Sequence, residues 1–391
     1  MTTQIMNTYG RQDVAFARGE GTYLWDTDGK KYLDALGGIA VCTLGHAHPA
    51  VTKAISEQAA RLIHTSNIYR IPAQEALADK LCKVSDMENV FFGNSGAEAN
   101  EAAIKLARLF GHNKNIQIPE IIVTDNSFHG RTLATLSATG NRKIHAGFEP
   151  LVHGFIRVPY NDLDAIRQVA NNSKNVVAIL VEPIQGEGGI NIPDSEYLNG
   201  IRSLCDENDW LMMLDEIQTG MCRTGKWFAH QHNNIKPDVM TLAKSLGNGI
   251  PIGACLASGK AASLFKPGNH GSTYGGNPLA CHVALNVINA LQDMNANQQA
   301  KDMGNYLLTE FKKQLSDNDG VTDIRGSGLM MAIQLDRPCA DLVAQSIEHG
   351  LLINVTANNV IRLLPPLIIS KTEADELVEK LVHLISQFLL S

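Results

Sequence analysis

The chain has 391 residues, with 33 Lys+Arg against 40 Asp+Glu (net charge −7), and is 44% hydrophobic, 6% aromatic and 19% charged. That length suits two or three domains with cores of their own, and the mildly acidic balance lacks the positive field that a nucleic-acid partner requires. No window approaches ~18 uninterrupted apolar residues, and Met1-Thr-Thr-Gln-Ile has no basic stretch leading into an apolar one; both argue for a cytoplasmic protein without membrane insertion or signal-peptide secretion.

In chain order, the first predicted element is a small hairpin. Thr22-Tyr-Leu-Trp-Asp and Lys31-Tyr-Leu-Asp alternate apolar and polar residues around Asp28-Gly29. Helical periodicity follows over 50–63 and 73–83. Short apolar runs then alternate with helices: Val90-Phe-Phe, Ile121-Ile-Val-Thr, Val176-Val-Ala-Ile-Leu-Val, Leu211-Met-Met-Leu, Val239-Met-Thr-Leu and Ile252-Gly-Ala-Cys-Leu-Ala. Near-continuous runs of this kind predict an α/β fold, with a mostly parallel sheet covered by helices on both faces. One long helix is expected over roughly 277–316, then strands near 329–335 and 351–354, and a last helix from Thr372 to Leu390. The expected organisation is an N-terminal arm and hairpin (1–48) packing with the small domain, a large domain (49–280) and a smaller α+β domain (281–391).

The seven cysteines (42, 82, 205, 222, 255, 281, 339) are scattered and form no C-x-x-C pair, so neither a disulfide framework nor a zinc site is expected. No metal is expected elsewhere. The 33 glycines, by contrast, cluster just beyond the apolar runs. In an open α/β sheet that is where ligands bind.

Val90-Phe-Phe leads into Gly93-Asn-Ser-Gly-Ala-Glu98 and a helical stretch. Ser95 and Glu98 have capping-box spacing, and the same turn could cradle an anion on free N–H groups. Ile121-Ile-Val-Thr leads into Asp125-Asn-Ser-Phe-His-Gly-Arg131, where Phe128 could stack on a planar ligand and Arg131 could pair with a carboxylate. An equally good reading tucks Phe128 into the core, solvates Arg131 and makes His129 a hydrogen-bonded structural residue. The third run ends in Glu182-Pro-Ile-Gln-Gly-Glu-Gly-Gly189, whose carboxylates suit acid–base or gating work, or a solvated turn. Asp215 closes the fourth run, where a buried carboxylate needs a cationic partner. Lys244 follows the fifth, between apolar strands, where desolvation would favour the neutral nucleophilic amine. Gly271-Ser-Thr-Tyr-Gly-Gly-Asn-Pro278 places two hydroxyls in another glycine-rich turn. No G-x-G-x-x-G match survives: Gly253 falls one position late after Gly247-x-Gly249, and Met331 takes the third position after Gly326-x-Gly328.

Together these segments describe a ligand with a phosphate, a flat ring, a cationic ring nitrogen and an aldehyde, which is pyridoxal 5′-phosphate (PLP). Asn94-Ser-Gly-Ala-Glu-Ala-Asn100, Ser127-Phe-His-Gly-Arg-Thr132, Glu182 to Gly189, Asp215-Glu-Ile-Gln-Thr-Gly220, Lys244-Ser-Leu-Gly-Asn-Gly249 and His270 to Pro278 resemble class III aminotransferases of fold type I, most closely the acetylornithine aminotransferase group. The resemblance runs from Arg18-Gly-Glu-Gly to Val360-Ile-Arg-Leu-Leu-Pro-Pro366. It implies a seven-stranded large-domain sheet, Lys244 as the Schiff-base lysine that also moves the proton, and Asp215 as the partner of the pyridine nitrogen. It further implies a cofactor site made by Ser95, Gly96, Ala97, Phe128, Glu216, Ile217 and Gln218. Thr273 would reach the phosphate of a neighbouring subunit in a homodimer with shared active sites. Arg131, Arg362, Ser272 and Glu187 would meet the substrates, with Glu187 masking Arg362 while the amine donor is bound. The implied reaction moves the terminal amino group of N2-acetylornithine to 2-oxoglutarate, a step of arginine biosynthesis. Alternative donors are N-succinyl-diaminopimelate, succinylornithine, ornithine and 4-aminobutyrate. Ile39 stands where ornithine aminotransferases tend to carry an aromatic residue, which argues against free ornithine, and Cys222 where relatives often carry glycine.

Overall fold

A computed structural model describes residues 4–390. An unpredicted strand, β1 (Phe16–Glu20), pairs antiparallel with the first strand of the expected hairpin, β2 (Tyr23–Asp26), which pairs antiparallel with β3 (Lys31–Asp34). The Asp26 carboxylate accepts the N–H groups of Asp28 and Lys30 and closes the turn between β2 and β3.

The apolar runs become β4 (Asn89–Gly93), β5 (Glu120–Thr124), β7 (Val176–Val181), β8 (Leu211–Asp215), β9 (Val239–Leu242) and β10 (Gly253–Ala257), joined by an unforeseen edge strand, β6 (Phe155–Val158). They form one seven-stranded sheet in the order β4-β10-β9-β8-β7-β5-β6. Only β10 runs against its neighbours; the other pairings are parallel. Burial on both faces explains the unbroken runs. Alternate residues such as Val177, Leu211 and Met213 pack under the helix Gly96–Asn113, while Ile179, Met212 and Leu214 pack under the helix Tyr197–Asn208.

The C-terminal part contains β11 (Val321–Ser327), β12 (Met330–Leu335), β13 (Leu351–Leu352), β14 (Asn354–Thr356) and β15 (Val360–Leu363). Four of them make an antiparallel sheet, β11-β12-β15-β14, whereas β13 pairs parallel with β3. The single strand expected near 351–354 is therefore two short pieces in different sheets. The long helix expected over 277–316 is also two, Pro278–Asp293 and Ala296–Gln314. Asn295 breaks it with φ of 53°, a conformation asparagine tolerates better than most residues. The last helix spans Lys371–Leu390. One large apolar cluster joins Val51, Leu77 and Leu81 to Val287 on Pro278–Asp293, Ile333 on β12 and Leu381 on the last helix.

Between β3 and the helix Pro49–Ala59, residues Gly37, Gly38, Ile39 and Ala40 all take φ between 56° and 64°. This is one turn wound left-handed, costing about 1–2 kcal/mol at each residue that is not glycine. Its surroundings impose it. Asp34 accepts the N–H groups of Leu36 and Gly37 and holds His46 Nε2 at 2.8 Å. Ser245 Oγ donates to the Ala40 carbonyl, and the Leu364 N–H to that of Ala35.

Candidate active site

The carboxyl ends of β4, β5, β7, β8 and β9 converge on a cavity of ≈ 400 Å³. Its walls include Ser95, Gly96, Ala97, Phe128, Asp215, Ile217, Gln218 and Lys244, so most of the predicted cofactor residues are brought together. Glu216 is not among them. Its carboxylate instead accepts from Thr219 Oγ1 and from the backbone N–H groups of Ala229 and His230, and pairs with His230 Nδ1. Burial alone would raise its pKa, but the His230 contacts hold it below the ordinary carboxylate value.

At one end of the cavity, Ser95 caps the helix Gly96–Asn113 by accepting the Glu98 N–H at 3.2 Å. Glu98 reaches back to the Asn94 N–H, a variant of the expected box. Gly96 and Ala97 begin the helix beside the cavity, where the first N–H groups have no partner within the helix. A Cβ at Gly96 would meet Ile217 Cδ1 at 2.8 Å, so a larger residue here would make the Ile217 side chain shift.

Asp215, at the end of β8, is buried and tightly held. Its Oδ2 lies 2.8 Å from both Asn100 Nδ2 and His129 Nδ1, and its Oδ1 accepts the Ile217 N–H at 3.1 Å. Thr241 Oγ1 donates to Asn100 Oδ1 at 2.7 Å and fixes that amide in turn. Sequence reasoning gave Asn100 no role, although a polar residue among Ala99, Ala102 and Ala103 on the buried helix face was a usable signal. Glu182 is likewise buried, accepting the Phe128 and Gly186 N–H groups at 2.9 Å each. Burial pushes its pKa up to about 7, with the Asp215 charge adding and His129 opposing.

Lys244 follows β9 with φ of 44°, a strained setting for a lysine that its neighbour Ser245 helps to maintain. Burial lowers its pKa to about 8, partly opposed by Glu187 and assisted by Arg362. Val41, Ile250, Pro251 and Ile252 complete an apolar wall that the sequence had not indicated.

Phe128 and Arg131 are shared with an adjoining hollow that also contains Glu187. Arg131 is exposed, its guanidinium 5.8 Å from the Phe128 ring centre. Arg362, on β15, has a side chain only 1% exposed, and its Nη1 lies 2.7 Å from Glu187 Oε1. The same nitrogen is 3.3 Å from Gln218 Oε1, while Nε and Nη2 donate to Asn354 Oδ1 at 3.1 and 2.7 Å. Burial works to raise the Glu187 pKa, but the Arg362 charge holds it below the usual value. Ser272 and Thr273 lie elsewhere, in a separate opening with Asn67 and Ile68. Ser272 Oγ accepts from Asn94 Nδ2, which links it to the Ser95 turn, but Thr273 is exposed.

The family profile described as aminotransferase class-III matches residues 6–385. The chain belongs to the class III aminotransferases. Their fold is type I of the PLP-dependent enzymes, and the cavity fits that cofactor. The helix start at Ser95 suits a phosphate, the anchored Asp215 suits a cationic ring nitrogen, and Lys244 with its lowered pKa suits an aldehyde. Among class III relatives, the acetylornithine aminotransferase of Nitrosomonas europaea is 56% identical over 389 residues, spanning 100% of this chain and 99% of its own length. The solved acetylornithine aminotransferase of Elizabethkingia anophelis is 36% identical with a TM-score of 0.88, covering 97% of this chain and 96% of its own. The ornithine aminotransferase of Toxoplasma gondii, in a structure reporting partial PLP occupancy at its active site, is 33% identical with a TM-score of 0.95 over 99% of this chain and 94% of its own. No helix among the described residues is long and apolar enough to cross a membrane.

Proposed function

We propose that this class III aminotransferase moves the terminal amino group of N2-acetyl-L-ornithine to 2-oxoglutarate, giving N-acetyl-L-glutamate 5-semialdehyde and L-glutamate. The observation that carries this reading is the Glu187–Arg362 pair, which shares Gln218 with the Asp215–Lys244 cavity. An enzyme of this class takes two unlike substrates into one site. A donor that presents CH₂–NH₂ has no carboxylate beside the reacting carbon, and without Glu187 it would leave Arg362 as a buried unpaired cation. Glu187, with a side chain 34% exposed against 1% for Arg362, is the partner free to move aside. When 2-oxoglutarate enters, its carboxylate takes the place of Glu187 on Arg362, and its distal carboxylate reaches Arg131.

Bound PLP supplies the carbonyl that takes up the amino group and a ring that withdraws electrons from the carbon losing its proton. Lys244 Nζ carries that proton. Asp215, fixed by Asn100 and His129, keeps the ring nitrogen protonated. Phe128, Ile217 and Gln218 would hold the ring, and Glu216, through Thr219, Ala229 and His230, would brace the loop that carries Ile217 and Gln218. Ser95, Gly96 and Ala97 would hold the phosphate, completed by Thr273 from a second copy of the chain in a cytoplasmic homodimer. The exposed setting of Thr273 supports that arrangement. Ser272 would stand close to the substrate; its Oγ accepts from Asn94 Nδ2, on the turn that enters the cavity.

Steady-state rates with 2-oxoglutarate and each candidate amine test the assignment. N2-acetylornithine is expected to give the highest kcat/KM among N-succinyl-diaminopimelate, succinylornithine, ornithine and 4-aminobutyrate; a clear lead for ornithine or 4-aminobutyrate overturns it. Glu187→Gln should shift preference from terminal amines toward α-amino acids, and an unchanged preference removes the masking role.

A further inference from the structure

Arg325 ties the loop that carries Glu187 to the C-terminal antiparallel sheet. It sits on β11, with Nε 2.8 Å from the Ile190 carbonyl and Nη2 2.5 Å from the Gly189 carbonyl. Its Nη1 is held at 2.8 Å by both Asp323 Oδ2 and Gln334 Oε1. All three nitrogens thus have protein partners, and Nε and Nη2 face the loop's backbone. A planar fork spanning two successive carbonyls is a grip that lysine cannot reproduce.

The gripped residues need holding. Gly189 has φ of 117° and the buried, β-branched Ile190 has φ of 53°, both in the left-handed half of conformational space. Thr356 Oγ1, on β14, donates to the Glu187 carbonyl of the same loop. Arg362 and its orienting Asn354 stand on β15 and β14. Both halves of the Glu187–Arg362 pair are thus fastened to one antiparallel sheet, the acid through Arg325 and Thr356, the base through its own strand.

We propose that Arg325 is a positioning residue for substrate exchange: by pinning the loop it keeps Glu187 close enough to Arg362 to mask it between dicarboxylate substrates. This rests on the masking role proposed above. With the grip removed, the pair must order a freer loop each time it closes. Arg362 is then unmasked more of the time. Dicarboxylates bind better, and terminal amines, which need the masked state, react less efficiently.

The test is calorimetric titration of the holoenzyme with glutarate, a dicarboxylate with no reactive carbonyl, together with rates for N2-acetylornithine and for glutamate as donors. Arg325→Gln is expected to tighten glutarate about threefold and to lower the N2-acetylornithine-to-glutamate ratio of kcat/KM by a similar factor. In a Glu187→Gln background the same change should leave glutarate affinity unaltered, because an effect that runs through Glu187 disappears with it. Arg325→Lys should fall between wild type and Arg325→Gln, and it supplies the measurement should Arg325→Gln not fold. Unchanged glutarate affinity in Arg325→Gln overturns the proposal. So does an equal effect with and without Glu187, or a parallel fall for both donors accompanied by a lower Tm. If Glu187→Gln itself leaves glutarate binding unaltered, the masking role is the part that has failed.

Discussion

His129 Nδ1 and Asn100 Nδ2 both lie 2.8 Å from the same oxygen of Asp215, so this carboxylate is oriented before any ligand arrives. An isolated buried carboxylate would be costly, and the two partners offset that cost while leaving its charge to act on the cavity. Asp215→Asn keeps the shape and removes the charge. It is expected to lower kcat by about 10²–10³-fold, a loss of the order seen when one preorganised electrostatic group is removed, with the cofactor still detectable in the visible spectrum. A kcat within threefold of wild type would disprove the role.

Lys244 offers a pH test. With its pKa lowered to about 8 by burial, the amine becomes mostly neutral above that pH. The rate at which cofactor-free enzyme captures added PLP should therefore rise with pH and level off above about 8. Lys244→Ala should abolish both turnover and the lysine-dependent absorption band. A capture rate that is flat from pH 6.5 to 9.5 would contradict the assignment.

Asn354 accepts two of the Arg362 N–H groups inside the protein. Asn354→Ala leaves them without that acceptor, a cost of about 1–3 kcal/mol that loosens the guanidinium. The KM for 2-oxoglutarate should rise about tenfold, while the half-reaction with N2-acetylornithine changes less. Comparing the two half-reactions in single-turnover experiments checks this.

His46 and Asp34 make a stability prediction. Burial tends to lower the His46 pKa, but the Asp34 hydrogen bond and the nearby Cys42 raise it to about 9. A histidine whose folded pKa is raised stabilises the fold fully below its unfolded value of ~6.5, and loses that contribution as pH rises through about 9. Asp34→Asn keeps acceptors for Leu36 and Gly37 but removes the charge. Denaturant melts should show it less stable by about 3 kcal/mol near pH 6, with the gap narrowing toward pH 9.5.

Asn295, at φ of 53°, separates two helices. Asn295→Ala should destabilise by about 1 kcal/mol, while Asn295→Gly should be neutral or slightly stabilising, as Tm measurements would report.

How much of this was legible in the sequence depended on burial and distance along the chain. Strands buried on both faces, such as β7 and β8, announce themselves as apolar runs, and the ligand-facing residues come directly after them. β6 and β11 are partly exposed and include Arg157, Asp323 and Arg325, so they carried no such mark. β15 went unread because Arg362, a charge, sits in its buried centre. The break at Asn295 lies within Asn-Ala-Asn, a stretch equally compatible with a continuous helix. The supporting residues were out of reach for another reason. Asn100 is 115 positions from Asp215, and Arg325 136 from Gly189, so only the folded chain makes them neighbours.

The left-handed turn at Gly37–Ala40 has a consequence for how such an enzyme can diverge. Its Ala40 carbonyl is held by the residue after Lys244, and the Ala35 carbonyl just ahead of it by Leu364, two residues past Arg362. One short loop is thereby tethered beside the residue that performs the chemistry and beside the one that chooses between substrates. An insertion there would displace both together, so a lineage changing its substrate has more room to do so by exchanging side chains on this loop than by altering its length.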